Sequence, residues 1–94
     1  MTAERVAQAA VRVRRRVFTG TSHRAAVLAA ANVLGLDPAA IWKGMTPGRQ
    51  GFLTTRGRWL SRAEAWRLAK ERGQLRLDRS RAGSVPELFS EDLR

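Results

Sequence analysis

The sequence contains no cysteine and no tyrosine, and His23 is its only histidine. The lack of thiols excludes disulfide bonds, thiolate nucleophiles and thiolate metal sites. A single imidazole also excludes the ordinary metal sites that several histidines build together. We therefore expect neither a bound metal nor another cofactor, and no catalytic residue of the thiol or metal class.

Long apolar runs are missing as well. No run approaches the roughly 20 apolar residues that a membrane-spanning helix needs. The start, Met-Thr-Ala-Glu-Arg, lacks the apolar core of a signal peptide. These observations predict a cytoplasmic protein without a membrane partner. The chain length predicts a single domain, 1–94. Because so short a chain buries only about two-thirds of its unfolded surface, we also expect a homo-oligomer.

Acidic residues are scarce: 8 of them face 18 basic residues, 16 of which are arginine, and the formal charge is +10. Such an excess indicates an anionic partner, either nucleic acid or a phosphate-bearing small molecule. A GC-rich coding sequence would explain the preference for arginine over lysine, but it explains the net positive charge less well. Since the sequence has no zinc-finger spacing, RNP-type aromatic motif or helix-turn-helix, nucleic acid is the second choice.

Residues 3–20 fit two interpretations. Apolar and other residues alternate over 9–14, as in a half-buried strand, and Val17 and Thr19 would continue a second strand after an arginine-rich turn. Alanine and arginine also form helices well, so a helix over 3–16 is the alternative. The β-branched valines and the Thr-Gly-Thr break that follows favour the hairpin.

An alanine-rich helix is predicted over 23–34. Thr21 or Ser22 can accept hydrogen bonds from the free N–H groups at its start, and Gly35 can end it in the left-handed conformation. Asp37-Pro38 predicts the start of a second, shorter helix, because aspartate caps well and proline suits the first helical position.

The second half of the chain contains a hairpin followed by a helix. Short strands are expected near 51–54 and 58–60, and Ser61-Arg62-Ala63-Glu64 is a capping box that predicts a helix to about Arg72. Further expectations are a loop over 43–51, a helix stop at Gly73, a short strand through Leu75 and Leu77, and a polar loop over 78–84. The elements together predict a small α+β domain with an N-terminal β-hairpin, an alanine-rich helix, a second β-hairpin and a capped helix.

Three basic features are candidate phosphate contacts. Arginines crowd the expected first turn, where they either bind a phosphate or are simply solvated; they are Arg12, Arg14, Arg15 and Arg16. His23 stands at a helix start, which favours an anion, although a packed histidine explains the position equally well. Arg62, at the start of the capped helix, is either a phosphate clamp or an ordinary surface charge.

Aromatic and acidic residues offer further contacts. Phe52, Trp59 and Trp66 belong to the core by default, although an adenine ring stacked on one of them would contribute about 1–3 kcal/mol. Glu91 and Asp92 either pair with arginines, which is the simpler explanation, or accept ribose hydroxyls. With His23 they would make a small nucleotide hydrolase, but two adjacent carboxylates are a weak sign of that activity.

Several segments occur in the same order in a known family. They are Val17 to His23, Gly51 to Ala65, Gly73-Gln74 and Leu88 to Leu93. Through them the chain resembles the Thoeris anti-defence family of phage cyclic-ADP-ribose sponges. The resemblance implies a non-enzymatic homo-oligomer in the cytoplasm of the bacterial host. It also implies that the protein sequesters a cyclic ADP-ribose isomer, an immune signal, and that cyclic oligonucleotides are further candidates.

The same resemblance implies which residues contact the ligand. Phe52 matches the stacking aromatic of the family, and Ser61 or Arg62 falls where a polar side chain contacts the ligand. Arg79 is a candidate for the phosphate-contacting arginine. Together with His23, these residues form the expected ligand site. The alternatives are a basic nucleic-acid-binding protein and, less favoured, the nucleotide hydrolase.

Overall fold

The computed structural model describes residues 3–76 and 86–93, and it confirms a small α+β domain. Its elements, in chain order, are β1 (Val6–Val13), β2 (Arg16–Gly20), α1 (His23–Leu34), α2 (Pro38–Lys43), a 3-10 helix (Pro47–Arg49), β3 (Gln50–Thr54), β4 (Trp59–Ser61), α3 (Arg62–Glu71) and a second 3-10 helix (Ser90–Asp92). The N-terminal segment is therefore a hairpin and not a helix. The expected loop over 43–51 contains the first 3-10 helix and the start of β3.

Both hairpins belong to one antiparallel sheet of four strands in the order β2-β1-β3-β4. Val11 pairs with Phe18 inside the first hairpin. Ala9 pairs with Phe52 and so joins the first hairpin to the second. The sheet therefore depends on a pairing between segments that lie far apart in the sequence.

Helices α1 and α3 cover one face of this sheet. Val11 packs with α1 in one core cluster, and Ala9 packs with α3 in another. A shift in the pairing register between Val6 and Gln8 lets Val6 join Ala9 in the second cluster. Because side chains alternate along a strand, Arg12 lies on the opposite, outer face.

The helix ends follow the predicted capping chemistry. Ser22 Oγ accepts from Ala25 N at 3.0 Å, and Gly35 ends α1 with a φ of 66°. At the start of α3, Ser61 Oγ accepts from Glu64 N while the Glu64 carboxylate accepts from Ser61 N. These side chains satisfy N–H groups that have no partner within the helix, so both helix starts are set locally.

Residues beyond α3 pack back onto the domain. Leu88 is fully buried in the same cluster as Ala9, and Leu75 forms an isolated bridge with Leu93. Leu77, expected in a last strand, and the expected loop over 78–84 lie outside the described residues.

Glu4 connects the segment before β1 to the second hairpin. Its carboxylate accepts hydrogen bonds from Thr54 Oγ1 at 2.7 Å and from Arg58 Nε and Nη2 at 2.8 and 2.6 Å. The bonds from Arg58, followed by the bond from Thr54, lower the pKa of Glu4 to about 2. This bidentate ion pair joins two segments that lie far apart in the sequence, and no local sequence pattern predicts it.

Candidate anion-binding site

Four residues of the expected ligand site lie close together where α1 and α3 begin. Ser61 pairs with Gly51 across β3 and β4, Phe52 follows Gly51, and His23 bonds to Gly51. Arg62 is the first residue of α3. The fifth, Arg79, lies outside the described residues.

His23 makes internal contacts. Its Nε2 donates to the carbonyl oxygen of Gly51 at 2.8 Å, and its ring meets Phe52 edge-on with the centroids 5.0 Å apart. Burial is the main cause that lowers the pKa of His23, and the nearby charge of Arg62 acts in the same direction. A neutral imidazole that donates to a backbone carbonyl is a structural arrangement, and it favours an anion less than an imidazolium would.

Phe52 and Ser61 are also engaged within the chain. The Phe52 ring has 0% of its surface exposed, so the folded chain leaves no face of it for a ligand. The Ser61 hydroxyl accepts the capping bond from Glu64. Its remaining hydrogen-bonding capacity is small compared with that of a guanidinium group.

Arg62 is held by the segment that follows residue 85. Its Nε donates to the carbonyl oxygen of Leu88 at 3.1 Å, and its Nη1 pairs with Glu87 at 3.1 Å. Its guanidinium carbon lies over the Phe89 ring, 4.4 Å from the centroid. Glu87 thus pairs with an arginine, although the residues expected to do so were Glu91 and Asp92. The Asp92 carboxylate accepts a hydrogen bond from Phe89 N, and the pairing of Glu91 and Asp92 with arginines stays a prediction.

A different group of arginines is open to solvent. Two adjoining cavities, of about 280 and 540 Å³, lie beside the β1–β2 turn and share three residues, Arg12, Arg14 and Arg49. Arg15 lines the second cavity. We call these four side chains and the space between them the arginine pocket. The larger cavity, of about 540 Å³, is within the size range of small-ligand sites.

The electrostatics of the arginine pocket favour an anion. All four arginines are exposed, and in residues 3–76 and 86–93 no carboxylate lies within 4.0 Å of their guanidinium groups. The floor is apolar and includes Leu36, Ile41 and Met45. Like charges beside an apolar floor repel one another, so a bound phosphate would relieve the repulsion and form charge-assisted hydrogen bonds.

The turn that carries two of these arginines is strained. Arg14 and Arg15 have φ angles of 51° and 64°, and they form the two-residue connection between the paired residues Val13 and Arg16. A turn with positive φ at both positions normally takes Asn-Gly, because a side chain with a β-carbon is disfavoured there. Strain of this kind is concentrated at functional sites, which makes the arginine pocket the better candidate.

An aromatic side chain adjoins the pocket on the outer face. The guanidinium carbon of Arg12 lies over the Trp59 ring, 4.2 Å from its centroid. Trp59 packs across Gly51, where a β-carbon would come within 2.7 Å of the indole atom Cζ2. Glycine at this position therefore lets the indole lie against β3 and reach Arg12 on β1.

The sequence indicates this site only in part. The arginines of the first turn stand out, but their pattern alone does not distinguish phosphate binding from solvation, and Arg49 belongs to a separate segment. Trp59 was expected to be a core residue. Only the pairing of β1 with β3 brings Trp59 near Arg12, and no local pattern predicts that pairing.

The described residues contain no group of three or more histidine, aspartate or glutamate side chains placed to hold a metal ion. No helix within the described ranges has the length and apolar character required to cross a membrane.

Comparison with known proteins identifies the family. A family model described as phage T4 y16D protein matches residues 5–93. No curated protein and no solved structure matches the chain. The match covers nearly the whole sequence, and it identifies a family of small phage proteins rather than the Thoeris anti-defence sponges. The chain therefore belongs to the phage T4 y16D protein family.

Proposed function

We propose that this phage protein binds a small phosphate-bearing nucleotide in the arginine pocket and sequesters it unchanged. One observation carries the proposal: Arg12, Arg14, Arg15 and Arg49 line a cavity, and no carboxylate of the described residues neutralises them. Guanidinium groups bind phosphate oxygens in bidentate fashion, so such a set suits a ligand with more than one phosphate.

A finer proposal concerns the identity of the nucleotide. The resemblance to the Thoeris anti-defence sponges supports a cyclic ADP-ribose isomer, with a cyclic oligonucleotide as the next candidate. In that role the protein would remove an immune signal from the cytoplasm of the bacterial host and so counteract anti-phage defence. We further propose a homo-oligomer, whose subunit number light scattering after size exclusion would measure.

Thermal unfolding with a ligand panel tests the proposal. The panel contains ADP-ribose, its cyclic isomers, cyclic dinucleotides, cyclic trinucleotides and a short DNA. We expect one nucleotide class to raise the unfolding temperature, because a ligand that binds only the folded state stabilises it. Mass analysis of the ligand recovered after denaturation should return it unchanged, and conversion would instead support the hydrolase.

Arginine variants locate the site. Arg14→Ala and Arg49→Ala should each weaken binding on the order of tenfold, the usual effect of losing a hydrogen bond to a charged group. Arg67→Ala removes an exposed arginine of α3 outside the pocket and is the matched control. Loss of binding in Arg62→Ala, with Arg14→Ala and Arg49→Ala unaffected, would assign the ligand to the His23–Arg62 region and contradict the pocket.

Nucleic-acid binding is the second candidate, and the formal charge of +10 favours it. A salt titration separates the two functions. Binding to a nucleic-acid backbone releases many counterions and weakens steeply as salt rises, whereas a pocket that contacts one or two phosphates responds modestly. A steep salt dependence, with DNA as the tightest ligand of the panel, would favour this candidate.

A further inference from the structure

We infer that Arg12 and Trp59 form a platform on which the planar base of the nucleotide stacks while its phosphates occupy the arginine pocket. The inference rests on the proposed function and assigns to that same site the part of the ligand that distinguishes a nucleotide from a simple phosphate. Arg12 is central to it, because it lines both cavities and also stacks on Trp59.

Trp59 fixes the orientation of Arg12. At 4.2 Å from the indole centroid, the guanidinium carbon is at stacking distance. An arginine side chain has many rotamers in solution, and an aromatic partner reduces that freedom before any ligand arrives. Arg12 itself is exposed, so its guanidinium group can accept a second planar ring.

Gly51 makes this arrangement possible. A β-carbon at this position would come within 2.8 Å of Trp59 Cε2, as well as too close to the carbonyl oxygen of Leu60. The indole therefore lies directly over the backbone of β3, and its position follows from the sheet rather than from a flexible loop. A platform held by three adjacent strands loses little entropy when it binds a ring.

The chemistry of a planar base fits the surface that Arg12 and Trp59 form. Bases stack on guanidinium planes and on aromatic rings, and every base has a face that can do so. The strand residue Arg12 leads directly to the turn residues Arg14 and Arg15. A ligand with a base on Arg12 would therefore find phosphate-binding groups next to it. The geometry thus favours a nucleoside diphosphate over inorganic pyrophosphate.

A comparison of ADP with inorganic pyrophosphate tests the platform. Trp59→Leu should weaken ADP binding on the order of tenfold, which corresponds to the loss of one stacked base, and should weaken pyrophosphate binding clearly less, because pyrophosphate loses only the fixed orientation of Arg12. Trp42→Leu makes the same replacement at an exposed tryptophan that does not line the cavities, and it should change neither affinity. In spectra of the wild type, the indole N–H signal of Trp59 should shift with ADP and not with pyrophosphate.

A second variant keeps the test valid should Trp59→Leu fail to fold. Arg12→Lys retains the charge but loses both the planar group that stacks on a base and one bidentate phosphate contact, so it should weaken ADP binding more than pyrophosphate binding. Equal losses for the two ligands in these variants, or no loss for ADP, would overturn the platform while the arginine pocket stands. If neither ligand binds the wild-type protein, the platform is overturned, whereas the proposed function is overturned only if no nucleotide of the thermal-unfolding panel binds either.

Discussion

The side-chain amide of Gln74 acts as a strand partner for Val6. Gln74 Nε2 donates to the carbonyl oxygen of Val6 and Gln74 Oε1 accepts from Val6 N, both at 2.9 Å. A single side chain thus satisfies both the N–H and the C=O group of Val6 at the start of β1. Arg72 Nε adds a bond to the carbonyl oxygen of Glu4 at 2.9 Å. Two side chains that follow α3 therefore hydrogen-bond to the backbone at the start of β1 and just before it.

Replacing Gln74 by alanine should destabilise the fold. Gln74 is buried, so the backbone N–H and C=O of Val6 would lose their partner away from water. Leaving such groups unsatisfied costs on the order of 2 kcal/mol. Chemical denaturation should therefore show a lower free energy of unfolding for Gln74→Ala. Gln8→Ala, at an exposed position of β1, is the control, and equal effects in the two variants would contradict the role of Gln74.

Relieving the strained turn should stabilise the protein and weaken its anion binding. The double variant Arg14→Asn with Arg15→Gly places in the turn the residues that prefer positive φ, and we expect a gain of about 1–2 kcal/mol. For a domain of this size, each kcal/mol raises the unfolding temperature by roughly 4–8 °C. Calorimetry measures the gain, and titration with pyrophosphate measures the loss of binding.

The matched control for this turn is Arg14→Lys with Arg15→Lys. It keeps the positive charges and the β-carbons, so it should keep the strain and show no comparable gain in stability. A double variant with Asn-Gly that is no more stable than the wild type would show that the turn is not strained.

His23 should make stability depend on pH in the neutral range. Burial lowers its pKa in the folded protein below the value of 6.5 that applies when the chain is unfolded. The unfolded chain therefore takes up the proton first, and stability falls as the pH drops below 6.5. In His23→Gln, whose amide can still donate to Gly51, the unfolding temperature should vary less between about pH 5 and pH 7. An unchanged pH dependence would contradict the assignment.

Glu4 should make the stability of the fold depend on pH in a separate, more acidic range. Its pKa is about 2 in the folded protein against 4.5 for the free side chain, chiefly because of the hydrogen bonds from Arg58. The stabilisation is present above pH 4.5 and is lost as the pH falls towards 2. Glu4→Gln should remove this part of the acid unfolding curve. Glu71→Gln, which removes an exposed carboxylate at the end of α3, should leave it in place.

Local sequence patterns were sufficient for both ends of α1 and for the start of α3. Ser22 and Gly35 bound α1 as predicted, and the capping box at Ser61 forms with both of its hydrogen bonds. Each of these predictions depends on residues that lie within one or two helical turns of one another, because capping is a short-range interaction.

Contacts between distant segments were not predictable in this way. The pairing of Ala9 with Phe52, the bonds of Glu4 to Arg58, and the approach of Trp59 to Arg12 all join parts of the chain that no periodicity relates. The candidate site depends on such contacts. For that reason, residues chosen by position, such as Phe52, turned out to be buried, and the exposed cationic group lies elsewhere.

Arginine at both turn positions has a consequence for the evolution of this protein. Laboratory evolution for heat resistance alone should replace Arg14 and Arg15 early, since Asn-Gly fits their positive φ angles better. Under the proposed function, propagation of phage under host immune pressure should instead preserve the pair. The contrast between those two selections would separate the fitness value of the turn from its contribution to folding.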